Sequence, residues 1–216
     1  MPMRSLFALL VSIGAMLFTG CDVDDIPLNS QRTYTLTEEL SAIVVSDGID
    51  IVVDSSLPHD QVVAMTNAKG FNHLNIDVSR GVLHIDIRGI VLGPTRNVVR
   101  VPSFDYERID VNGGSDFAWH SCGSDVLSVS ASGGSDCEVS GATKRLYIEA
   151  SGGSDIDCGG LSAEDVTIDA SGGSDVDACA SNTLSLTASG GSDIHITGNP
   201  QMKKCDLSGG SDVDFN

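Results

Sequence analysis

From Leu146 to Cys158 the chain reads LYIEASGGSDIDC, and every second residue is apolar or small: Leu146, Ile148, Ala150, Gly152, Ser154, Ile156 and Cys158. Between them fall Tyr147, Glu149, Ser151, Gly153, Asp155 and Asp157. A period of two marks an extended strand with one face buried and one face wet. The same register returns in Val166, Ile168, Ala170, Gly172, Ser174, Val176 and Ala178. It returns once more in Leu184, Leu186, Ala188, Gly190, Ser192, Ile194 and Ile196. Helices are excluded by this period and by the paired glycines.

Each row is centred on the same five residues. SGGSD stands at 132–136, 151–155, 171–175, 189–193 and 208–212, and NGGSD at 112–116. Counted from the first glycine of each copy, the spacings are 20, 19, 20, 18 and 19 residues. A fixed period of this length is a repeat architecture. Hairpins would reverse alternate strands, whereas the motif recurs in one register. Stacked parallel coils satisfy both facts, and the pattern predicts an all-β, right-handed parallel β-helix with one coil of 18–20 residues per repeat.

In such a stack the motif is a corner. Gly113, Gly133, Gly152, Gly172, Gly190 and Gly209 leave room where backbones converge, and the second glycine of each pair is free to take a positive φ. The hydroxyls of Ser115, Ser135, Ser154, Ser174, Ser192 and Ser211 point inward and need a backbone or coil-to-coil hydrogen bond. A nucleophilic serine would need a general base at fixed spacing, which no copy supplies. The closing residues Asp116, Asp136, Asp155, Asp175, Asp193 and Asp212 form an outward ladder. Neighbours about 4.8 Å apart repel one another, so backbone N–H donors are expected to hold these carboxylates.

The rest of the chain divides around this block. Residues 109–216 are the GGSD coils, and residues 33–108 keep the strand alternation without the motif, predicting further solenoid coils. At the start, Arg4, the apolar run Leu6–Phe18 and the small residues Thr19–Gly20 before Cys21 have the three-part form of an export signal. FTGC resembles the lipobox of bacterial lipoproteins, which implies a signal peptide over residues 1–20 and a lipid on Cys21. Residues 21–32 then form a short acidic tether. Acidic residues after such a cysteine resemble surface-export signals of some bacteria, while in others Asp at the next position retains the protein at the inner membrane. The expected location is the bacterial envelope, at the outer membrane, facing periplasm or surface.

Charge narrows the partners. Twelve Lys and Arg stand against 30 Asp and Glu, a net charge of -18, which repels nucleic acid phosphate and disfavours anionic headgroups. Membrane attachment therefore falls to the lipid on Cys21. Of the six cysteines, Cys137, Cys158 and Cys205 replace core aliphatics and are expected as buried free thiols; Cys137 and Cys158 are offset by two positions, about 8 Å, beyond disulfide reach. Cys122 and Cys179 fall in turns. Neither a CxxC pair nor a Cys–His spacing suits zinc, and GGSDID departs from the calcium-binding GGxGxD loop where Asp replaces its second-half glycine. No metal or cofactor is expected.

One resemblance is more specific. A strand, the turn DGID at 47–50, a second strand, then GVLHIDI and VRVPSFDYERIDVNGGSD follow the order seen in the bacterial family described as "putative auto-transporter adhesin, head GIN domain". It spans roughly residues 38–216. The resemblance implies a secreted or lipid-anchored β-helical protein that binds a glycan or protein at the cell surface. Two other classes compete. A polysaccharide-degrading enzyme could use Asp155, Asp157, Asp175 and Asp177, which cluster outward, but near-minimal repeats leave no long loops to build a groove. A purely structural envelope protein would need no ligand.

Overall fold

The computed structural model describes residues 8–9, 27–67, 70–92 and 95–216. Its core is a stack of coils, each contributing one strand to either of two facing sheets. In the repeat block the first sheet is built from β9 (Arg108–Asn112), β11 (Val126–Ser132), the second halves of β12 (Asp136–Ser151), β13 (Asp155–Ser171) and β14 (Asp175–Ala188), and β16 (Gln201–Leu207). The second sheet holds β10 (Asp116–Cys122), the first halves of β12, β13 and β14, then β15 (Asp193–Gly198) and β17 (Asp212–Phe215). Every pairing within this block is parallel. The chain is a β-solenoid.

Register follows the alternation. Ile148 pairs with Ile168 and Ile168 with Leu186 in the first sheet, and Phe117, Cys137, Ile156, Val176 and Ile194 line up in the second. All of these are buried, as is the neighbouring row of the first sheet, Ala150, Ala170 and Ala188. Small alanines stand beside the corner and branched aliphatics further along each strand, all in one buried core. Cys137 and Cys158 occupy this core as free thiols. Burial pushes both well above the ordinary thiol range, because the thiolate would lose its hydration.

Residues 33–108 depart from simple stacking. β3 (Ala42–Val45) and β4 (Asp50–Val53) form one coil, while β7 (Val82–Ile87) and β8 (Asn97–Val101) form another. The first of these in sequence is second in space: β3 pairs with β7 on one side and β9 on the other, and β4 likewise lies between β8 and β10. The segment 102–107 carries the chain back across the edge, pinned by the Tyr106 hydroxyl donating to Pro102 O at 2.5 Å and by Tyr106 against Trp119. Buried Tyr106 keeps its phenol protonated far beyond its ordinary range, because its anion would be desolvated.

The expectation of parallel coils throughout needs correction here. β6 (Leu74–Ser79) pairs antiparallel with β7, and β5 (Gln61–Thr66) pairs antiparallel with both β8 and β2 (Ser30–Thr35). The reason is local. Arg80 and Gly81, at φ 57° and 74°, form a two-residue hairpin with positive φ at both positions, the geometry that matches strand twist. These antiparallel strands cap the first coil and keep its edge from templating another chain. On the outer side of β2, Ala8–Leu9 (β1) adds a short antiparallel pairing with Tyr34 and Thr33.

At the other end Cys205 keeps its expected register with Leu186 but is exposed, not buried. Among the described residues β16 and β17 pair only with β14 and β15, which leaves their inward side chains uncovered on the other side. Cys122 is buried at the end of β10, and Cys179 is partly exposed.

Candidate functional site: the corner ladder and the acidic face

The six motif corners stack along one edge of the solenoid, and a seventh joins them. Asp47 and Gly48 take φ 72° and 70°, as Gly113 and Gly114 do at 67° and 74°. Ser115 Oγ accepts hydrogen bonds from Gly48 N–H and Ile49 N–H, both at 3.1 Å. One coil on, Ser135 Oγ accepts from Gly114 N–H at 3.1 Å and Ser115 N–H at 3.3 Å. DGID is therefore the same corner in different residues: fully buried Ile49 takes the serine position and Asp50 begins the aspartate ladder.

Ser115, Ser135, Ser154, Ser174 and Ser192 are buried, whereas Ser211 in the last coil is partly exposed. Ser135, Ser154, Ser174, Ser192 and Ser211 each donate to the carbonyl three residues back, at 2.8–3.1 Å. A hydroxyl closing its own turn is a structural group, and its proton is already committed.

The first glycines, Gly113, Gly133, Gly152, Gly172, Gly190 and Gly209, lie at the exposed tips of the turns and do not point inward. What requires glycine is backbone conformation and coil-to-coil approach. All six have positive φ. The second glycine has positive φ only at Gly114, Gly134 and Gly153; from Gly173 onward it does not. The coil-to-coil bond changes with it. Gly152 N–H donates to Ser171 O, whereas Gly191 N–H donates to Gly172 O at 2.8 Å and Gly210 N–H to Gly190 O at 2.5 Å. In the later corners the turns press closer, so a Cβ on Gly190 would sit 2.5 Å from Gly172 O.

Just past the corners, the outer face of the second sheet presents two columns. One is Asp116, Asp136, Asp155, Asp175, Asp193 and Asp212, and the other is Ala118, Glu138, Asp157, Asp177, His195 and Asp214. Backbone donors were expected to hold the first column. In fact Asp136, Asp155, Asp175 and Asp193 accept no backbone hydrogen bond, whereas Asp212 accepts one from Val213 N–H at 2.9 Å. The physical reason is that each N–H at this point already serves a carbonyl of the previous coil: Asp155 N–H donates to Ser135 O and Asp175 N–H to Ser154 O. The carboxylates extend into water instead. Two shallow hollows mark this face. One of about 270 Å³ lies among Asp175, Asp177, Asp193, His195, Asp212 and Asp214, and one of about 410 Å³ runs from Asp50 and Arg96 to Asp157. Among the described residues no group of three or more His, Cys, Asp or Glu is arranged to hold a metal.

The opposite outer face is different in kind. Ser128, Tyr147, Thr167 and Ser185 form one column, and Ser130, Glu149, Asp169 and Thr187 the next. With Arg108 and Asp110 at one end of these columns and Lys204 and Asp206 at the other, the face is hydroxyl-rich and of mixed charge, so the net negative charge is heavier on the second sheet. On this side Asp110 is half-buried, and that burial raises its carboxyl above the ordinary value despite Arg108 and His84, which act the other way. A raised acid pKa means that the fold prefers the protonated form, so stability present below about pH 3.8 is lost as pH rises through the folded-state value. Asp110→Asn is therefore expected to raise the melting temperature at neutral pH, with the gain vanishing in acid. A lower neutral melting temperature would show that the Arg108 contact outweighs burial.

The chain belongs to a known family. Residues 39–200 match the family described as "Putative auto-transporter adhesin, head GIN domain". That span holds the DGID turn and all but the last motif corner. No curated protein shows significant similarity to the chain. Among solved structures, a putative adhesin from Bacteroides fragilis is similar, with a TM-score of 0.67 at 17% identity over 86% of this chain and 95% of that one. A putative lipid binding protein from Parabacteroides distasonis superposes with a TM-score of 0.50 at 16% identity, over 87% of this chain and 96% of that one. A putative adhesin from Parabacteroides merdae does so with a TM-score of 0.50 at 16% identity, over 87% and 95%. At these identities the likeness is one of fold. Cys21 and the lipobox residues before it lie outside the described residues.

Proposed function

We propose that this adhesin-family chain is a lipid-anchored envelope protein that binds a ligand through the acidic outer face of its second sheet. The observation that carries the binding site is the pair of parallel acidic columns, in which Asp136, Asp155, Asp175 and Asp193 stand in one register and extend their carboxylates into water. A structural face would be expected to pair its charges, since unscreened like charges at strand spacing work against the fold. A ligand with matching positive groups, on a protein surface or an amino sugar, relieves that repulsion and gains fast, salt-sensitive association. The rigid stack keeps both columns in a fixed register, so little ordering cost falls on binding. An enzyme is less well supported, because the corner serines are hydrogen-bonded into their turns and the hollows are shallow.

Anchoring rests on the FTGC sequence. The N-terminal peptide of protein from its native membrane is expected to carry a diacylglycerol-type mass on Cys21 and to lose it in Cys21→Ser; an unmodified cysteine in the wild type would sink the anchor. Binding is tested with the detergent-solubilised chain on glycan arrays and on native envelope or host-surface protein arrays. Retention is expected to fall with added salt and on replacing Asp155 and Asp175 together by Asn. Equal retention by that variant would remove the acidic face from the function. Turnover of a polysaccharide that is lost on Asp155→Ala would instead make the chain an enzyme.

A further inference from the structure

One coil turns differently from all the others. Where the repeat coils turn through the short GGS corner, β7 and β8 are joined by a longer connection, of which residues 88–92 and 95–96 are described. The described part of this loop presents Ile90 at 80% and Leu92 at 84% exposure, the most exposed large apolar side chains among the described residues. Two such residues, separated by one position, put exposed apolar surface side by side in one connection, and contiguous exposed apolar surface marks a contact. The connection has a pinned base. Arg88 N–H donates to His73 O at 2.8 Å, His73 Nδ1 lies 3.0 Å from Arg88 O, and Arg96 Nε lies 3.8 Å from Asp50 Oδ2.

Two further observations say what the tip meets. The first is position. Asn97, at the end of the loop, pairs with Thr66, and Thr66 pairs with Ser30 at the start of β2. The loop thus leaves the domain roughly 10 Å, two strand spacings, from the point where the N-terminal segment enters it. Cys21 is nine residues from Ser30, at most about 30 Å of chain, so the lipid can lie no more than about 40 Å from the end of the loop at Asn97. The second is charge. Arg32, Arg80, Arg88, Arg96, Arg100 and Arg108 all lie in the first coils and their cap, while residues 109–216 carry only Lys144, Arg145, Lys203 and Lys204 against their many carboxylates. The net charge that repels a headgroup layer is therefore concentrated in the stack away from the loop. Arg88, its side chain 67% exposed and 3.7 Å from Asp86, flanks the apolar tip where a lipid phosphate would lie.

We propose that Ile90 and Leu92 insert into the interfacial layer of the membrane that carries the Cys21 lipid, with the bilayer phospholipids as the ligand of this loop. The proposal rests on the lipid anchor inferred above. Two attachments fix an orientation that one flexible tether does not: the base coils face the bilayer, and the acidic stack is directed away from it by its own charge.

The test uses the full chain, as Leu92→Trp and separately Tyr147→Trp, bound to vesicles of phosphatidylethanolamine and phosphatidylglycerol brominated along their acyl chains. Tyr147 is exposed and lies four coils further along the stack, about 19 Å away. Buried Trp119 gives the same background in both. Leu92→Trp is expected to lose most of its added emission to bromine quenching, and Tyr147→Trp to lose none. Vesicle-bound Leu92→Trp with unquenched emission overturns the proposal and leaves the tip to water or to a protein. The N-terminal peptide mass of the same sample judges the anchor separately. If that mass shows no acyl group, quenching of the non-acylated chain still supports insertion, and its absence overturns it.

Discussion

Ile168→Asp is expected to abolish or nearly abolish cooperative folding. Ile168 is 1% exposed and sits in the middle of the stack, between Ile148 and Leu186 along the first sheet. An aspartate there would find only aliphatic neighbours, and a carboxylate buried without a partner costs several kcal/mol beyond the loss of the isoleucine's own burial, itself about 2–5 kcal/mol. Against a typical total stability of about 5–15 kcal/mol, that is most or all of it. The buried acid would also resist ionisation, so the folded-state pKa of the introduced Asp would be raised. Its penalty is then smallest in acid and grows as pH rises through the unfolded value. Thr167→Asp, one residue earlier on the exposed face, is the control and should cost little. Circular-dichroism melts of both variants at neutral and acid pH check the pair. Equal losses for Ile168→Asp and Thr167→Asp would mean that the inward register is wrong.

That register was legible in the sequence because a strand's side chains alternate strictly, and a solenoid repeats the alternation until chance is excluded. The corner serines were legible for the same reason: a polar residue in an apolar row must find a partner in its own turn. The antiparallel cap was not. Val82–Ile87 and Leu74–Ser79 alternate as well as any coil strand, and alternation carries no direction. The one local signal was Arg80–Gly81, a two-residue connection too short for a parallel crossover. The spatial order of the first two coils was equally hidden, since nothing in β7 or β9 says that β3 will lie between them. Cys205 shows a further limit. Its register was readable from the period, but its exposure depends on whether another coil follows it in space. The acidic columns were visible as residues, while the commitment of the Asp155 and Asp175 N–H groups to the preceding coil depends on backbone bonds that a sequence does not display. The exposure of Ile90 and Leu92 belongs to the same class, because an apolar loop and an apolar strand look alike until the fold leaves one of them outside.

The corner glycines lead to the second large effect, which depends on which glycine is replaced and in which coil. Gly190→Ala is expected to destabilise strongly, by about 3 kcal/mol or more, because two penalties fall on one residue. Its φ of 86° lies in the left-handed region, where a Cβ alone costs about 1–2 kcal/mol. The added carbon would also sit 2.5 Å from Gly172 O and 2.9 Å from Gly172 N, both backbone atoms of the coil beneath. Those atoms cannot swing aside as a side chain would. Gly172 O also accepts the coil-to-coil bond from Gly191 N–H at 2.8 Å, so moving it breaks the ladder at that corner. Gly153→Ala separates the two penalties. Its φ is 81°, but a Cβ would meet nothing closer than Gly173 O at 3.8 Å, so only the conformational cost of about 1–2 kcal/mol remains. Gly173→Ala removes both, having neither a left-handed φ nor any atom within 4 Å, and should be neutral or slightly stabilising through the unfolded chain. Urea unfolding of the three variants is expected to give the order Gly190→Ala far below Gly153→Ala, and Gly153→Ala below Gly173→Ala. If Gly153→Ala and Gly173→Ala lose equal stability, the change of turn between these two corners is not real. If Gly190→Ala matches Gly153→Ala, the later coils do not approach as closely as their backbone bonds require.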